Sequence, residues 1–536
     1  MKRREFVAST AGAAGALLLG GCGERAADIP GGFVGSEPAR GHALRDGMAE
    51  GGAAASPSRT RRVDVVIAGG GVAGLAAARA LRLAGHDDFA LLEMEDSAGG
   101  NSRAASVGGL ACPLGAHYLP VPGDAAHEVQ DLLEELGLRR RVSGRWTYDE
   151  RHLCHSPQER LFFDGHWQEG LLPVQGVGTD TLAQYRRFAA RVAQWQRDER
   201  FTIPTLRGGA LTSGLLGLDA VSFESWLDAE RLDDVHLRWY LEYACRDDYG
   251  AGSAQVSAWA GLHYFASRHG FHAPGSDDDE RDAVLTWPEG NAWLAERLAA
   301  PLGDRLLRAH TVTRIEETRH GVEVDAWDAA GATQVRFQAR RCIVALPVFV
   351  AARVVRNPPA CLRQAAAALR HAPWLVANLH LSGPLEDAPG AAPSWDNVVY
   401  GSRGLGYVDA GHQRLDPTPA PTVLTWYRPL GPSRFDDAGA RRLLLEAPWQ
   451  HWRDQAIAEL SQPHPDLAAR TRRIDIARYG HAMAIPGPGV RRALQAAAGE
   501  ALAMAGRLRF AHADWSGYSI FEEAFTRGHL AGVAAA

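Results

Sequence analysis

The hydrophobic pattern changes period several times along this chain, and the first clear change indicates a β-α-β unit. Residues 63–68 form an apolar run of strand length, and residues 72–84 repeat apolar positions with a helical period after a cluster of glycines. Residues 89–93 form a second apolar run. Two short apolar runs joined through a helix are typical of parallel strands in a buried sheet. The pattern therefore predicts a parallel α/β unit.

Beyond this unit, the periods separate a helical region from later strands. Helical patterns predominate from about residue 125 to 270, for example at 185–195 and 235–245, and the acidic run 275–282 predicts an exposed loop. Strand patterns return at 312–315, 321–326, 342–346, 376–381 and 422–427. The order of elements predicts an α/β fold in which a Rossmann-like domain is interleaved with a second domain of mixed α+β structure.

The first 22 residues are typical of an export signal. The basic start at residues 2–4 precedes a weakly apolar run at 6–19 that is too short for a permanent membrane helix. The order KRREFV resembles a twin-arginine signal, and the LGGC ending at Cys22 resembles a lipobox. We expect export to the periplasm, with a lipid anchor at Cys22, and simple cleavage or an uncleaved anchor are the alternatives. Residues 23–60 then predict a flexible linker.

Composition and charge exclude several classes of function. The 536 residues, 46% hydrophobic and 22% charged, suit a globular protein of two or more domains. The formal charge of -6 argues against nucleic acid as a partner and favours cationic ligands. Lys2 is the only lysine, so beyond the signal no lysine is available as a Schiff base. The six cysteines follow neither a disulfide nor a zinc pattern, and we expect no metal site.

The glycine cluster between the first strand and helix has the spacing GxGxxG, with glycines at Gly69, Gly71 and Gly74. In this fingerprint the first glycine makes a tight turn and the second lets the backbone approach a pyrophosphate. The third allows the helix to pack closely on the strand. Together with the flanking strand and helix, the spacing predicts a dinucleotide site, but NAD and FAD share the fingerprint.

The residues around this motif extend the predicted dinucleotide site. Val72 and Ala73 begin the helix, whose N-terminus offers free N–H groups and a partial positive charge to the phosphates. Glu93 ends the second strand about twenty residues on, where an acid accepts hydrogen bonds from ribose hydroxyls.

The segment after Glu93 distinguishes between the two dinucleotides. It contains Gly99-Gly100 and Arg103, and it resembles the second glycine motif of FAD enzymes of the amine oxidase and carotenoid desaturase group. The resemblance implies that the glycine pair and the arginine lie against the pyrophosphate and flavin. Asn101 stands where those proteins often have arginine, so the role of Arg103 departs from their pattern.

Further segments resemble flavin-containing amine oxidases, from residue 63 to the end of the chain. LGAHYLP at 114–120 resembles the family's segment beside the flavin, and HTVTRIE resembles the strand that returns to the adenine side. The resemblance implies a glutathione-reductase-type FAD domain and cofactor contacts from Gly115, Ala116, His117 and Val312.

The C-terminal part resembles the same family in RFAHADWSGY. The resemblance implies that Asp514 touches the ribityl chain and that Tyr518 and Trp515 frame an aromatic cage over the flavin, where rings attract an amine. The opposite wall is expected from YGHAMAI, with His481 nearest the family position. EEAFTRGHLAG resembles the closing helix whose N-terminus points at the flavin pyrimidine.

Two departures from the family bear on the chemistry. Asn378 occupies the position where amine oxidases commonly have a lysine that holds a water near the flavin, and asparagine carries no charge. No cysteine lies near Gly480, where the family forms its covalent flavin link. We expect non-covalent FAD and altered reactivity toward oxygen.

The resemblance implies the following division of the chain: a signal at 1–22, a linker at 23–60, FAD-binding parts at 61–124, 284–355 and 476–536, and substrate-domain parts at 125–283 (helical) and 356–475. The expected function is hydride transfer from an amine, with a polyamine as one candidate, to the flavin. The electron acceptor is either oxygen or a quinone or protein. The alternatives are a C–C dehydrogenase resembling carotenoid and phytoene desaturases, and a non-catalytic FAD-binding interaction protein.

Overall fold

The computed structural model of the protein describes residues 28–49, 57–155, 157–268, 270–274, 283–414, 416, 418–431, 437–504 and 506–536. The predicted signal at 1–22, including Cys22, and the predicted acidic loop at 275–282 lie outside the described residues. Among the residues described, no helix has both the length and the hydropathy that a membrane span requires.

The described residues form 23 strands. They are β1 (Gly31–Phe33), β2 (Arg59–Arg62), β3 (Val65–Ala68), β4 (Phe89–Leu92), β5 (Ala104–Val107), β6 (Leu110–Pro113), β7 (Tyr118–Pro120), β8 (Arg139–Val142), β9 (Arg145–Tyr148), β10 (Glu159–Phe163), β11 (His166–Glu169), β12 (Val284–Thr286), β13 (Leu306–Leu307), β14 (His310–Glu317), β15 (Val322–Asp328), β16 (Thr333–Ala339), β17 (Arg341–Val344), β18 (Arg370–Leu381), β19 (Asp396–Val399), β20 (Tyr407–Asp409), β21 (Thr422–Pro429), β22 (Thr471–Ile485) and β23 (Leu508–Phe510).

The same residues form 16 α-helices. They are α1 (Pro38–Ala49), α2 (Val72–Leu83), α3 (His127–Glu135), α4 (Thr179–Asp198), α5 (Ser213–Asp219), α6 (Phe223–Ala229), α7 (Val235–Tyr249), α8 (Ala258–Ala266), α9 (Ala292–Ala299), α10 (Val348–Val354), α11 (Ala360–Ala368), α12 (Asp437–Glu446), α13 (Trp449–Leu460), α14 (Leu467–Arg470), α15 (Val490–Ala503) and α16 (Phe521–Ala535). Three 3₁₀ helices cover Thr205–Gly208, Ala300–Arg305 and Ala513–Ser516.

A five-stranded parallel sheet in the order β13-β4-β3-β17-β23 holds the predicted dinucleotide motif. β3 and β4 are buried on both faces, as expected for a parallel sheet covered on both sides. α2 follows β3 directly, and α16 packs along α2. The predicted β-α-β unit is confirmed, and the sheet joins three distant parts of the chain.

A mixed eight-stranded sheet in the order β1-β22-β18-β21-β20-β19-β10-β11 forms the second region. β18 is its central long strand and is buried from its second residue to its last. Leu375, Ala377 and Leu379 of β18 pack in one hydrophobic cluster with residues of α12 and α13. Trp374 and Val376 lie in another cluster, with Leu114 and Tyr427. The two faces of β18 therefore have different neighbours, and Asn378 falls in sequence register with the second face.

Two remaining units complete the architecture. β14, β15, β16 and β2 form a four-stranded sheet, in which Asp325 accepts hydrogen bonds from Arg314 at 2.7 Å and from Arg336 at 2.7 Å. Helices α4 to α8 pack around a cluster of buried aromatic and aliphatic side chains. The overall arrangement confirms the predicted α/β fold with a Rossmann-like domain.

Two stretches differ from their expected local structure. Helices do not fill residues 125–270: the stretch contains two antiparallel hairpins, β8–β9 and β10–β11, and the second hairpin joins the eight-stranded sheet. Part of the predicted linker is packed, because β1 pairs with β22 and the side chain of Ile29 is 4% exposed. These short strands lack the long apolar runs from which a strand is inferred. The domain boundaries stay predictions.

Candidate active site

The glycine motif lies between β3 and α2, and its three glycines have different surroundings. Gly69 has a φ of +104°, and a Cβ atom there would lie 2.4 Å from the carbonyl oxygen of Ala345. A Cβ atom at Gly74 would lie 1.9 Å from the carbonyl oxygen of Gly69. These two glycines are therefore required by the packing of the protein itself. At Gly71 the atom nearest to a Cβ would be 3.8 Å away, so the protein alone admits a side chain there.

The surroundings of Gly71 fit a pyrophosphate. Gly71 caps α2 without a side-chain hydrogen bond, and Val72 and Ala73 form the first turn, whose N–H groups have no partner within the helix. Gly71 forms a parallel bridge with Gly99, and a Cβ on Gly71 would point at the Cα of Gly100. Two glycine backbones and a helix N-terminus thus border one small region, which is the donor arrangement that phosphates prefer.

Glu93 follows β4 directly and is buried. Its Oε2 accepts a hydrogen bond from the N–H of Gly70 at 2.9 Å, and its Oε1 accepts one from the N–H of Glu95 at 2.8 Å. Burial raises the pKa of Glu93, against the two backbone hydrogen bonds. Each carboxylate oxygen can accept a second hydrogen bond. The position therefore fits the predicted ribose contact.

Arg103 is buried and holds the backbone around the second glycine motif. Its Nε donates to the carbonyl oxygen of Gly100 at 2.9 Å, and its guanidinium also donates to the carbonyl oxygen of Gly35 at 2.5 Å. The guanidinium lies 3.9 Å from the carboxylate of Glu95. Arg103 therefore joins the glycine pair to the N-terminal segment, and its direct contact with FAD stays a prediction.

The segment 114–120 is fixed by two tyrosine hydroxyls. Tyr479 donates to the carbonyl oxygen of Leu114 at 2.7 Å, and Tyr427 donates to that of Gly115 at 3.0 Å. The N–H of Ala116 donates to the carbonyl oxygen of Asn101 at 2.9 Å. The segment predicted beside the flavin is thus held against both the second glycine motif and the eight-stranded sheet.

Aromatic rings surround the middle of this segment. His117 stacks on Tyr427 with ring centroids 4.4 Å apart and lies 5.5 Å from Trp395. Tyr118 meets Trp395 edge-on at 5.8 Å. Burial lowers the pKa of His117 to about 3, so this imidazole is neutral at physiological pH. The segment presents an aromatic surface without a positive charge of its own.

Two carboxylates that sequence reasoning missed lie close to these rings. Burial raises the pKa of Asp247 to about 7, and the neighbouring Asp248 raises it further. Burial also raises the pKa of Asp396 well above its usual range, with Asp247 adding to the effect. The same two carboxylates act electrostatically on Tyr118, whose pKa is raised first by burial. Acids and aromatic rings therefore share one half-buried region.

Asn378 is fully buried on β18. Its Nδ2 donates to the carbonyl oxygen of Pro113 at 3.0 Å, and its Oδ1 accepts a hydrogen bond from Thr425 at 2.7 Å. The side chain thus connects the eight-stranded sheet to the strand that leads into segment 114–120. This placement is compatible with the position expected for the family's lysine, and the role of Asn378 toward a water stays a prediction.

Asp514 is buried among hydrogen-bond donors. Its Oδ2 accepts from the N–H of Val348 at 3.0 Å and lies 3.1 Å from Nε2 of His371. Its Oδ1 lies 3.3 Å from Nδ1 of His512. Burial acts to raise the pKa of Asp514, but His512 and His371 hold it well below its usual range. The acid predicted to touch the ribityl chain is therefore ionised and centred between two imidazoles.

His481 lies near His371, the imidazole that contacts Asp514. Its ring stacks on Phe349 with centroids 4.5 Å apart, and its centroid is 6.1 Å from that of His371. Desolvation, followed by the positive charge of Arg441, lowers the pKa of His481 to about 4. His481 is therefore neutral near pH 7, as a wall that faces an amine would need to be.

The structure does not bring Trp515 and Tyr518 into one wall. Trp515 packs in an aliphatic cluster, with its ring 5.5 Å from that of Phe510. Tyr518 is 1% exposed; its hydroxyl donates to Asp248 at 2.5 Å and accepts from Arg268 at 2.9 Å. The two residues lie in different clusters of the core, and their contact with a flavin stays a prediction.

Val312 and the closing helix have structural contacts of their own. Val312 lies in β14, opposite Ala326, and is buried in the cluster that includes Trp515. At the N-terminus of α16, the carboxylate of Glu523 accepts hydrogen bonds from the N–H of Thr205 and the hydroxyl of Ser516. The adenine contact of Val312 and the flavin contact of α16 stay predictions.

Comparison with known proteins assigns the class. The sequence profile of flavin-containing amine oxidoreductases matches residues 72–428. That range runs from the start of α2 through the aromatic segment to the end of β21, and the chain therefore belongs to this family. Its fold is the one predicted.

Individual relatives are more distant. A Mycobacterium tuberculosis protein named as a flavin-containing monoamine oxidase is 28% identical over 300 residues, which cover 55% of this chain and 60% of that protein. The chain thus spans about 60% of the curated relative's length. A putrescine oxidase bound to putrescine has a TM-score of 0.64 at 18% identity, covering 89% of this chain and 99% of that chain. Cyclohexylamine oxidase of Brevibacterium oxydans has a TM-score of 0.63 at 19% identity, covering 88% and 98%.

Proposed function

We propose that this enzyme oxidises an amine to the corresponding imine and that its preferred substrate carries a second, cationic amino group. The observation that carries the proposal is the half-buried region shared by Asp247, Asp396 and the rings around His117. FAD supplies the acceptor for the hydride that leaves the amine's α-carbon. Such a site suits an aliphatic diamine or polyamine.

The carboxylates provide the recognition of charge. Burial and then Asp247 raise the pKa of Asp396, burial and then Asp248 raise that of Asp247, and an ammonium group placed beside these carboxylates would relieve the repulsion. The half-buried ring of Tyr118 is available to the alkyl chain and to the cation. Because His117 is neutral, no positive charge on this segment opposes the substrate.

The remaining residues fit a non-covalent FAD. Gly71 and the N-terminus of α2 are suited to the pyrophosphate, and Glu93 to the ribose. Gly480, at the position of the family's covalent link, lies in β22 between Tyr479 and His481 and provides no thiol.

We propose that the enzyme is exported to the periplasm by the twin-arginine route, with a lipid anchor at Cys22.

Asn378 supports a second candidate function. An uncharged side chain at the lysine position fits an amine oxidase that reacts slowly with oxygen. It fits equally well a C–C dehydrogenase that passes its electrons to a quinone or a protein. Peroxide release during turnover distinguishes the two acceptors. An amine substrate that yields reduced flavin but no peroxide identifies an amine dehydrogenase.

Asp396→Asn is expected to lower kcat/KM for an aliphatic diamine by about 10- to 100-fold, mainly through KM. The reason is that hydrogen bonds to a charged group contribute roughly 1.5–3 kcal/mol. Steady-state kinetics on a diamine and on the monoamine of equal length test this. The monoamine should show a smaller loss, and equal losses for both would contradict recognition of the second ammonium.

A matched control is Asp454→Asn, because this carboxylate is 56% exposed on α13 and pairs with Arg453. It removes the same charge from the protein and is expected to leave the kinetics on both amines unchanged. A comparable loss in this variant would assign the effect to the total charge of the protein.

The pH dependence of kcat/KM should report the ionisation of Asp247. Since its pKa is about 7, the carboxylate becomes charged as the pH rises through 7, and attraction of the second ammonium should increase over the same range. Deprotonation of the substrate amine adds a separate rise at higher pH. Asp247→Asn should remove the rise near pH 7 and keep the higher one, whereas an unchanged profile would exclude Asp247 from substrate binding.

A further inference from the structure

The β8–β9 hairpin is a basic, partly apolar projection on an acidic protein. Its turn is formed by Ser143 and Gly144, with φ of 48° and 82°, a geometry that suits a tight two-residue hairpin. All of residues 140–146 are exposed. The formal charge of the chain is -6, yet these seven residues include three arginines and no acid.

The three arginines are not neutralised by neighbouring carboxylates. Within the described part of the chain, Arg140, Arg141 and Arg145 have no carboxylate within 4.0 Å, whereas Arg139 at the base pairs with Glu134 at 2.7 Å. Arg141 donates from Nε to the carbonyl oxygen of Gly144 at the turn, 3.2 Å away, and its guanidinium lies 5.9 Å from the ring centroid of Trp146. Three positive charges therefore remain available on one small element.

Apolar side chains accompany these charges. Val142 and Trp146 are each 44% exposed, although a tryptophan is usually covered. Trp146 lies opposite Arg141 in the hairpin, and the guanidinium of Arg139 stacks 3.8 Å from its ring centroid. The indole is thus held at the surface in a fixed orientation by its cationic neighbours.

We propose that this hairpin docks on an anionic phospholipid surface, with the three arginines at the headgroups and Trp146 and Val142 at the interface. Tryptophan favours the boundary between headgroups and acyl chains, and arginines are attracted by anionic lipids. A negatively charged nucleic acid or acidic protein would use the arginines but would leave Val142 unexplained. The inference is independent of the substrate and of the predicted lipid at Cys22.

The test measures binding to vesicles of phosphatidylcholine with and without phosphatidylglycerol by co-sedimentation. All proteins are full-length and carry Cys22→Ser, so that no acyl chain contributes. The wild-type hairpin is expected to bind only the anionic vesicles. Since each arginine near such a surface contributes about fivefold, Arg140→Gln/Arg141→Gln/Arg145→Gln should bind about 100-fold more weakly. Trp146→Ala should lose about fivefold.

The matched control is Arg186→Gln/Arg319→Gln/Arg472→Gln, which changes three exposed arginines elsewhere and gives the same net charge. It should change vesicle binding by less than about threefold, and thermal unfolding should be the same for both triple variants. Equal losses in the two triple variants would overturn the proposal, as would a wild-type protein that does not distinguish anionic from neutral vesicles. If the wild-type protein does not distinguish the two kinds of vesicle, an acidic macromolecule becomes the better candidate partner of the hairpin.

Discussion

Gly71→Val is expected to fold and to lose its FAD. A Cβ at this position has no protein atom nearer than 3.8 Å, so the fold accommodates the substitution. The valine methyl groups would occupy the region where the backbone admits the pyrophosphate, and FAD affinity should fall by at least about 100-fold, or roughly 3 kcal/mol. Flavin content after purification and titration of the apoprotein with FAD measure the effect.

The control for this variant is Gly74→Val. Its Cβ would lie 1.9 Å from the carbonyl oxygen of Gly69, so this variant should be destabilised as a protein, with a lower unfolding temperature even in the absence of FAD. Gly71→Val should unfold like the wild-type apoprotein. A fully loaded Gly71→Val protein would refute the placement of the pyrophosphate.

Asp514→Asn is expected to lower the free energy of unfolding by about 3 kcal/mol, because removing one partner of a buried charged group leaves the other partners uncompensated. His371 and the N–H of Val348 would lose a charged acceptor, and His512 would lose its charged neighbour. FAD affinity should fall as well, since the two imidazoles would no longer be oriented. Chemical denaturation of the apoprotein and FAD titration measure the two effects separately.

The pH dependence of this loss has a defined sign. The pKa of Asp514 is lower in the folded protein than in the unfolded chain, where it is about 4. Its stabilising contribution is therefore complete above about pH 4 and is lost as the pH falls through the folded-state pKa. The difference between wild type and Asp514→Asn should be constant from pH 7 to about 5 and shrink below 4.

Asp325→Asn is the matched control for Asp514→Asn. Asp325 is also buried and paired, but with Arg314 and Arg336 in the four-stranded sheet. The substitution should lower stability to a similar degree and leave FAD affinity unchanged. Loss of FAD in both variants would show that Asp514 affects the cofactor only through stability.

The dinucleotide motif could be predicted from the sequence because its determinants are local. The apolar run of β3, the glycine spacing and the helical period of α2 lie within 20 residues, and each requires only its neighbours. The fold class followed from the same pattern, together with the resemblance of later segments to known flavoproteins. The strand β22 was missed because arginines and small residues break its alternation of polar and apolar positions.

The composition of the site could be predicted less well, because it depends on distant parts of the chain. His371 meets Asp514 across 143 residues, and the effect of Asp247 on the pKa of Asp396 likewise joins positions far apart in the sequence. Adjacent acids near the end of α7 were the only local signal for Asp247. No local pattern connects the Tyr518 hydroxyl with its partners Asp248 and Arg268, and the place of Tyr518 over the flavin stays a prediction.

The most direct test of the account is the anaerobic addition of an aliphatic diamine such as putrescine to the purified protein, followed by the visible absorbance of its flavin. The account predicts a yellow protein with one FAD per chain whose colour is bleached by the diamine, more slowly by a monoamine and not by a polyene. A colourless protein that does not bind FAD, or a flavin that stays oxidised with every amine tested, would contradict it.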